Sequence, residues 1–197
     1  MTASANSSGS GLAALDQRRS TPARQLGEPG PDEATLLRML RSAVRVPDHG
    51  KRVPFRFIRI QGGARDALGQ SLAAITLERN ANAADAEVDK DKRRFSHAPV
   101  VIAVIAVLDP QDAQIPEQER LLTAGCVCFA LLQAAQALGF GACWLSGWPA
   151  YDAASLALLG VGANERVAGF IHIGTPQAQV PERDRPDPVA LLTDFTP

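Results

Sequence analysis

The sequence predicts an α+β fold, a few strands flanked by helices with one long helix at the centre. Two segments carry most of that prediction. Residues 100–108 (VVIAVIAVL) form an unbroken apolar, β-branched run, the pattern of a strand covered on both faces. Residues 116–138 form a long helical stretch with Pro116 near its first position and Gly139 at its end. The third observation is that helical and strand-like segments succeed one another without repeats or a linker. Residues 12–197 therefore read as one domain.

The elements follow in chain order. Residues 1–11 (MTASANSSGSG) are small and polar and read as a flexible tail, with neither the basic nor the apolar region of a secretion signal. Leu12, Ala13, Ala14 and Leu15 start a short helix that runs into Arg18, Arg19 and Ser20. Gly27, Pro29, Gly30 and Pro31 mark turns. Asp32 caps a helix through about Val46, with Leu36, Leu40, Ala43 and Val44 on one face, and Pro47 stops it. Phe55, Phe57, Ile58 and Ile60 mark a strand ended by Gly62 and Gly63, and a helix follows from about Arg65 to Glu78. Residues 80–94 are polar and charged, and read either as a short helix or as a mobile lid. Within the long helix, residues 124–137 are small and apolar almost all round, which implies cover on every side, part of it from a second subunit. A strand at 142–145, a helix at 151–159 and a strand at 167–173 complete the pattern. The Pro-rich end from Pro176 has no hydrophobic period and reads as a segment wrapped over a surface.

Composition narrows the function classes. Among 197 residues, 20 Lys+Arg against 21 Asp+Glu leave a net charge of −1, which argues against a nonspecific nucleic-acid binder. Only Lys51, Lys90 and Lys92 are lysines, so 17 of the 20 cations are arginine. Codon preference explains such a bias, and so does phosphate recognition, because the guanidinium fork pairs with phosphate oxygens. Cys126, Cys128 and Cys143 are odd in number, with no C-x-x-C pair. They read as small buried thiols, with Cys126 and Cys128 on different sides of the long helix, and give neither a disulfide framework nor a zinc site. His49, His97 and His172 lack metal-ligand spacing, and no metal is expected. His172, in an apolar strand, reads as a satisfied core or semi-buried residue, and His97 carries no signal. The apolar runs at 99–108 and 129–135 are too short to span a bilayer, so the protein is expected to be soluble and cytoplasmic.

Familiar nucleotide motifs are missing. Gly139-Phe140-Gly141 follows a helix and lacks the third glycine of a dinucleotide fingerprint, there is no P-loop, and Ser146 is not in a G-x-S-x-G elbow. Three other clusters remain. Arg18, Arg19 and Ser20 offer two guanidinia and a hydroxyl within three residues, although adjacent arginines are also common on solvated surfaces. Arg45-Val46-Pro47-Asp48-His49 follows a helix end and doubles as a helix stop. Trp144-Leu145-Ser146-Gly147 places a tryptophan at a strand end before a small-residue turn, which is also what a core tryptophan entering a loop looks like.

These clusters stand in a fixed order, Arg-Arg-Ser, then Arg-x-Pro-Asp-His, then Gly-Phe-Gly-x-x-Trp-x-Ser-Gly after the small-residue helix, then GFIHIGTP at 169–176. In that order and spacing the chain resembles the bacterial nitroreductase family, and specifically its short NAD(P)H nitroreductase subgroup, over residues 12–195. The resemblance implies a mainly antiparallel central sheet flanked by helices, in an intertwined homodimer with one FMN in each of two interface pockets. It implies that Arg18, Arg19 and Ser20 hold the FMN phosphate and ribityl chain. It implies further that Arg45 and His49 come to the same FMN from the partner subunit, and that Trp144, Leu145, Ser146 and Gly147 form the turn beside the flavin ring. Close members often carry arginine between the tryptophan and the serine, where this chain has Leu145, one pocket cation fewer. Arg24 is a candidate substitute for a basic residue near the Arg-x-Ser element. Arg183 and Arg185 lie where other members place late basic residues toward the phosphate, and Lys51 and Arg52 border the pocket mouth. The implied chemistry is ping-pong. NAD(P)H delivers hydride to the flavin and leaves, and a nitroaromatic, quinone or other electron-poor acceptor is then reduced, with no catalytic side chain or metal required. The alternatives are a non-catalytic FMN-binding storage or sensor dimer, and a non-flavin scaffold with accidental motif matches.

Overall fold

The structure, a computed structural model, describes residues 8–196; residues 1–7, which hold most of the expected tail, lie outside the described residues. Helix α1 (Ser8–Asp16) begins inside that expected tail and ends before Arg18, so the Arg-Arg-Ser cluster lies beyond the helix in irregular backbone.

The sheet is built around β3 (Val100–Val107). One edge of β3 pairs with β2 (Phe55–Gln61) and the other with β5 (Glu165–Pro176), both antiparallel. Strand β5 also pairs antiparallel with β4 (Gly141–Leu145) and with the two-residue β1 (Leu26–Gly27), which falls in the stretch expected to hold only turns. The two faces of β3 separate cleanly. Val100, Ile102, Val104 and Ala106 pack under α2 (Glu33–Ala43) and α5 (Glu117–Ala137). Val101, Ala103 and Ile105 pack with Leu72 and Ile75 of α3 (Gly63–Arg79), and with Phe95 and Phe170. Period-2 side-chain direction in a strand with a helix layer on each face accounts for the continuous run, because every position meets apolar cover.

The helices depart from expectation at several points. Asp32 caps α2, its carboxylate accepting from the Thr35 N–H at 2.8 Å, but the helix stops at Ala43. Its buried positions are Leu36, Met39 and Ala43, and Val44 is exposed. The 80–94 stretch, by contrast, takes one of its two expected forms, a short helix, α4 (Asp85–Lys92), packed on α3. Helix α5 is covered on one side only. Ala124, Val127, Cys128, Leu131 and Ala135 are buried, whereas Leu121, Leu122 and Phe129 are exposed, as is Cys126. It is the one helix among the described residues long and apolar enough to cross a membrane, and half of that stretch is buried as a core helix against the sheet. Helix α6 (Ala153–Leu158) is shorter than the 151–159 expected, because Asp152 caps it, its carboxylate accepting from the Ser155 N–H at 3.0 Å. After β5 the chain is irregular and largely exposed, apart from a short turn at Pro188–Leu191.

Candidate functional site

The Arg-Arg-Ser cluster is pinned from two sides. The Arg19 N–H donates to Gln136 Oε1 on α5 at 3.0 Å, and the Thr21 N–H donates to the Ala142 carbonyl of β4 at 3.0 Å. The three side chains then diverge. The Arg18 guanidinium donates to Ser20 Oγ at 3.1 Å, and both line a cleft of about 350 Å³ with Phe129, Leu132, Trp144, Leu145 and Ser146. Arg19 turns the other way, donating to the Asp16 carbonyl and pairing with Glu182 of the C-terminal tail. The tail thereby folds back, and Arg183 and Arg185 close a small niche with Arg18, Arg19 and Ser20. Beside it the Glu182 carboxylate takes the guanidinia of Arg19 and Arg185 and the Arg183 N–H. The Arg183 N–H and the Arg185 guanidinium hold that carboxylate below its ordinary value.

Trp144 lies where the sheet is irregular. A bulge in β5 falls at Ala168, between the Val104–Gly169 and Ile105–Val167 pairs, and the Ala168 carbonyl accepts from Trp144 Nε1 at 3.0 Å. The indole rests against Gly169 so closely that a Cβ there would stand 1.9 Å from Nε1. Its far edge reaches α5, and the residue as a whole is 40% exposed. Gly147, at φ 89°, then turns the chain away.

The Arg45–His49 segment is elsewhere. His49 lies in a second cleft of about 190 Å³ with Pro47, Asp48, Arg52, Glu119 and Arg120, and its Nδ1 is 2.7 Å from Glu119 Oε2. The Asp48 carboxylate accepts from the Arg52 and Val53 N–H groups at 3.0 and 2.8 Å. It holds together a turn in which Lys51 and Val53 both have positive φ, a strained conformation for a β-branched residue. The hydrogen bond from Arg52 is the main reason the Asp112 carboxyl is held down at about 2. Arg120, 4% exposed, also pairs with Asp112, and its Nε has no partner among the described residues.

Of the nine residues singled out from the sequence, Arg18, Ser20, Trp144, Leu145 and Ser146 meet in one cleft, with Gly147 closing the turn. Arg19 is diverted to the tail, and exposed Arg45 and His49 lie outside that cleft. Arg24, in the turn Ala23–Gln25, lines neither cleft. Sequence reasoning missed Phe129 and Leu132, an i, i+3 pair on α5 that walls the first cleft, and Glu119 and Arg120, charged residues in the first turn of an otherwise apolar helix. His172 differs from the satisfied core or semi-buried residue expected. The ring is buried, yet its Nδ1 has no partner among the described residues.

A model of the nitroreductase family matches residues 15–175. The chain is 33% identical over 188 residues to "Putative NAD(P)H nitroreductase YdjA" of Escherichia coli K12, covering 93% of this chain and 98% of that protein. Among solved structures, a nitroreductase-like protein of Bacillus cereus superposes with a TM-score of 0.78 at 21% identity, covering 93% of this chain and 95% of that one. A Desulfovibrio desulfuricans protein solved in complex with FMN superposes with a TM-score of 0.70 at 26% identity, covering 94% and 97%. By its sequence match and its fold, the chain belongs to the nitroreductase family.

Proposed function

We propose that the protein is a cytoplasmic FMN-dependent NAD(P)H oxidoreductase that works as a homodimer with an FMN at each subunit interface. The observation that carries this reading is the convergence of Arg18 and Ser20 with Trp144, Leu145 and Ser146 in one cleft, from segments more than 120 positions apart in sequence. The donor set fits FMN. Arg18 and Ser20 offer charged and neutral donors to a phosphate, and Arg183 and Arg185 converge on the same place. Phe129, Leu132, Trp144 and Leu145 supply the apolar wall a flavin ring requires, and a cleft of about 350 Å³ lies within the range of about 300–1,000 Å³ usual for cofactor sites.

Bound FMN would supply the hydride chemistry, taking the hydride from NAD(P)H and then passing reducing equivalents to a nitroaromatic, quinone or other electron-poor acceptor. The protein's part is binding and orientation. Arg18, Ser20 and, after release from Glu182, Arg19 hold the phosphate end. The Ser146–Gly147 backbone offers N–H groups to the ring, and Trp144, locked by Ala168 and Gly169, keeps one wall fixed. Arg45 and His49 of each subunit serve the site of the other, with Glu119 orienting the His49 ring.

The purified protein should be yellow, and its flavin absorbance should bleach when NADPH or NADH is added under argon. Arg18→Ala should weaken FMN binding by about 1–3 kcal/mol, and an unchanged affinity would remove Arg18 from the phosphate site. Leu145, which leaves the turn without a cation of its own, favours one second reading, an FMN-storing or FMN-sensing dimer. A yellow protein that neither nucleotide bleaches would select that reading.

A further inference from the structure

Asp91 is the only buried carboxylate among the described residues. It gathers three elements around one group. It accepts from Thr76 Oγ1 of α3 at 2.7 Å, from Trp148 Nε1 at 3.1 Å, and from Arg94 Nε and Nη2 at 3.0 and 2.6 Å. Arg94 follows α4, and Trp148 directly follows Gly147. Burial raises the Asp91 carboxyl, but the hydrogen bonds from Arg94, Thr76 and Trp148 more than offset it, so the group lies below its ordinary value and the pair is ionic.

The guanidinium is used asymmetrically. Its Nε–Nη2 edge is occupied by Asp91, while Nη1 makes no hydrogen bond among the described residues. That free nitrogen lies 3.3 Å from the point where a Cβ on Gly147 would stand, so it sits over the backbone of the turn that follows Leu145 and Ser146. The turn is braced further from α3, where Arg79 stacks its guanidinium 5.1 Å from the Trp148 ring and pairs with Asp152. The 80–94 segment is therefore tied to this turn through buried charge, which is not the arrangement of a free lid.

We propose that Arg94 supplies the guanidinium that the Leu145-Ser146-Gly147 turn lacks in its own sequence, and that Asp91 is the positioning residue that holds it there and balances its charge. The inference rests on the reading of that turn as the wall beside the flavin. A flavin reduced to its anionic form gains negative charge, so a nearby cation favours reduction and a nearby anion opposes it. The two members of the pair should then act with opposite sign.

The test is the FMN midpoint potential of the loaded protein, measured together with the thermal unfolding midpoint of the apo-protein. Arg94→Met leaves Asp91 unbalanced and should lower the potential, while Asp91→Asn leaves Arg94 unbalanced and should raise it. Each should change the ratio of reduced to oxidised FMN affinity by up to about tenfold, about 30 mV for the two-electron couple. The double variant carries neither charge and should return near the wild-type potential, and Arg94→Lys should stay near it as well. If Asp91→Asn fails to fold, the contrast between Arg94→Met and Arg94→Lys carries the test alone. Both single variants moving the potential the same way, or lowering only the unfolding midpoint, would overturn the proposal and make the pair a structural tie. A wild-type protein that takes up no FMN overturns the proposed function instead, before any variant is made.

Discussion

Gly169 carries no side chain because Trp144 occupies the space one would need. A Cβ at Gly169 would lie 1.9 Å from the indole Nε1 and 2.4 Å from its Cδ1. Gly169→Ala must therefore push the indole off the sheet and break its 3.0 Å bond to the Ala168 carbonyl. We expect a loss of about 1–3 kcal/mol, typical of overpacking, with a red-shifted tryptophan emission as the ring enters water. An unfolding midpoint and emission spectrum equal to wild type would contradict this packing. At this scale the sequence reveals residues whose chemistry is local. Arg18 and Ser20 stand two apart and share a hydrogen bond, and Trp144 at the end of β4 and Ser146 just after it line one cleft. Partnerships between distant residues leave no such mark. Nothing near Arg19 announces Glu182, and nothing near Leu145 announces Arg94.

Among the elements, β3 was fully legible because both faces meet apolar layers, which turns burial directly into sequence. Helix α4 was not. Its residues DAEVDKDK are mostly charged, and it is held by one apolar side chain, Val88, and by the buried carboxylate of Asp91, indistinguishable in sequence from the solvated Asp85 and Asp89. Strand β5 shows a related effect at His172, which looks like one more interior position. Its ring stacks on Phe95 at 5.8 Å, and burial, with smaller contributions from His97 and Arg94, pushes its pKa from 6.5 down to about 4. The unfolded chain therefore binds a proton near pH 6.5 that the folded chain refuses until about pH 4. The neutral ring's stability is complete above pH 6.5 and is lost as the pH falls through that window. The total is on the order of 3 kcal/mol. Urea midpoints measured between pH 6.5 and 4.5 should fall with pH in the wild type and much less in His172→Gln. Equal slopes would mean that His172 is not the group responsible.

A single copy of the chain leaves two things uncovered. Leu121, Leu122 and Phe129 form an apolar stripe on α5 at 44, 61 and 43% exposure, and the tail ends in Leu191, Leu192 and Phe195 at 71, 75 and 89%. Contiguous apolar surface of this kind is characteristic of an interface. The all-round apolar composition of α5 thus exceeds what one chain's burial uses, and the proposed homodimer would cover the remainder. Arg18 and His49 likewise line separate clefts of the one chain. In the proposed homodimer each FMN takes Arg18 from one subunit and His49 from the other, a geometry that can be tested by mixing subunits. Arg18→Ala and His49→Ala homodimers should each bind FMN poorly, since every site lacks one group. Random reassociation of the two makes about half the dimers mixed, and a mixed dimer holds one site with both substitutions and one with neither. The mixture should therefore recover up to about a quarter of wild-type high-affinity FMN sites, read from flavin absorbance after gel filtration. If both residues instead served a site within their own subunit, every site in the mixed dimer would still lack one group. No recovery would then appear, and that result would rule out the shared site.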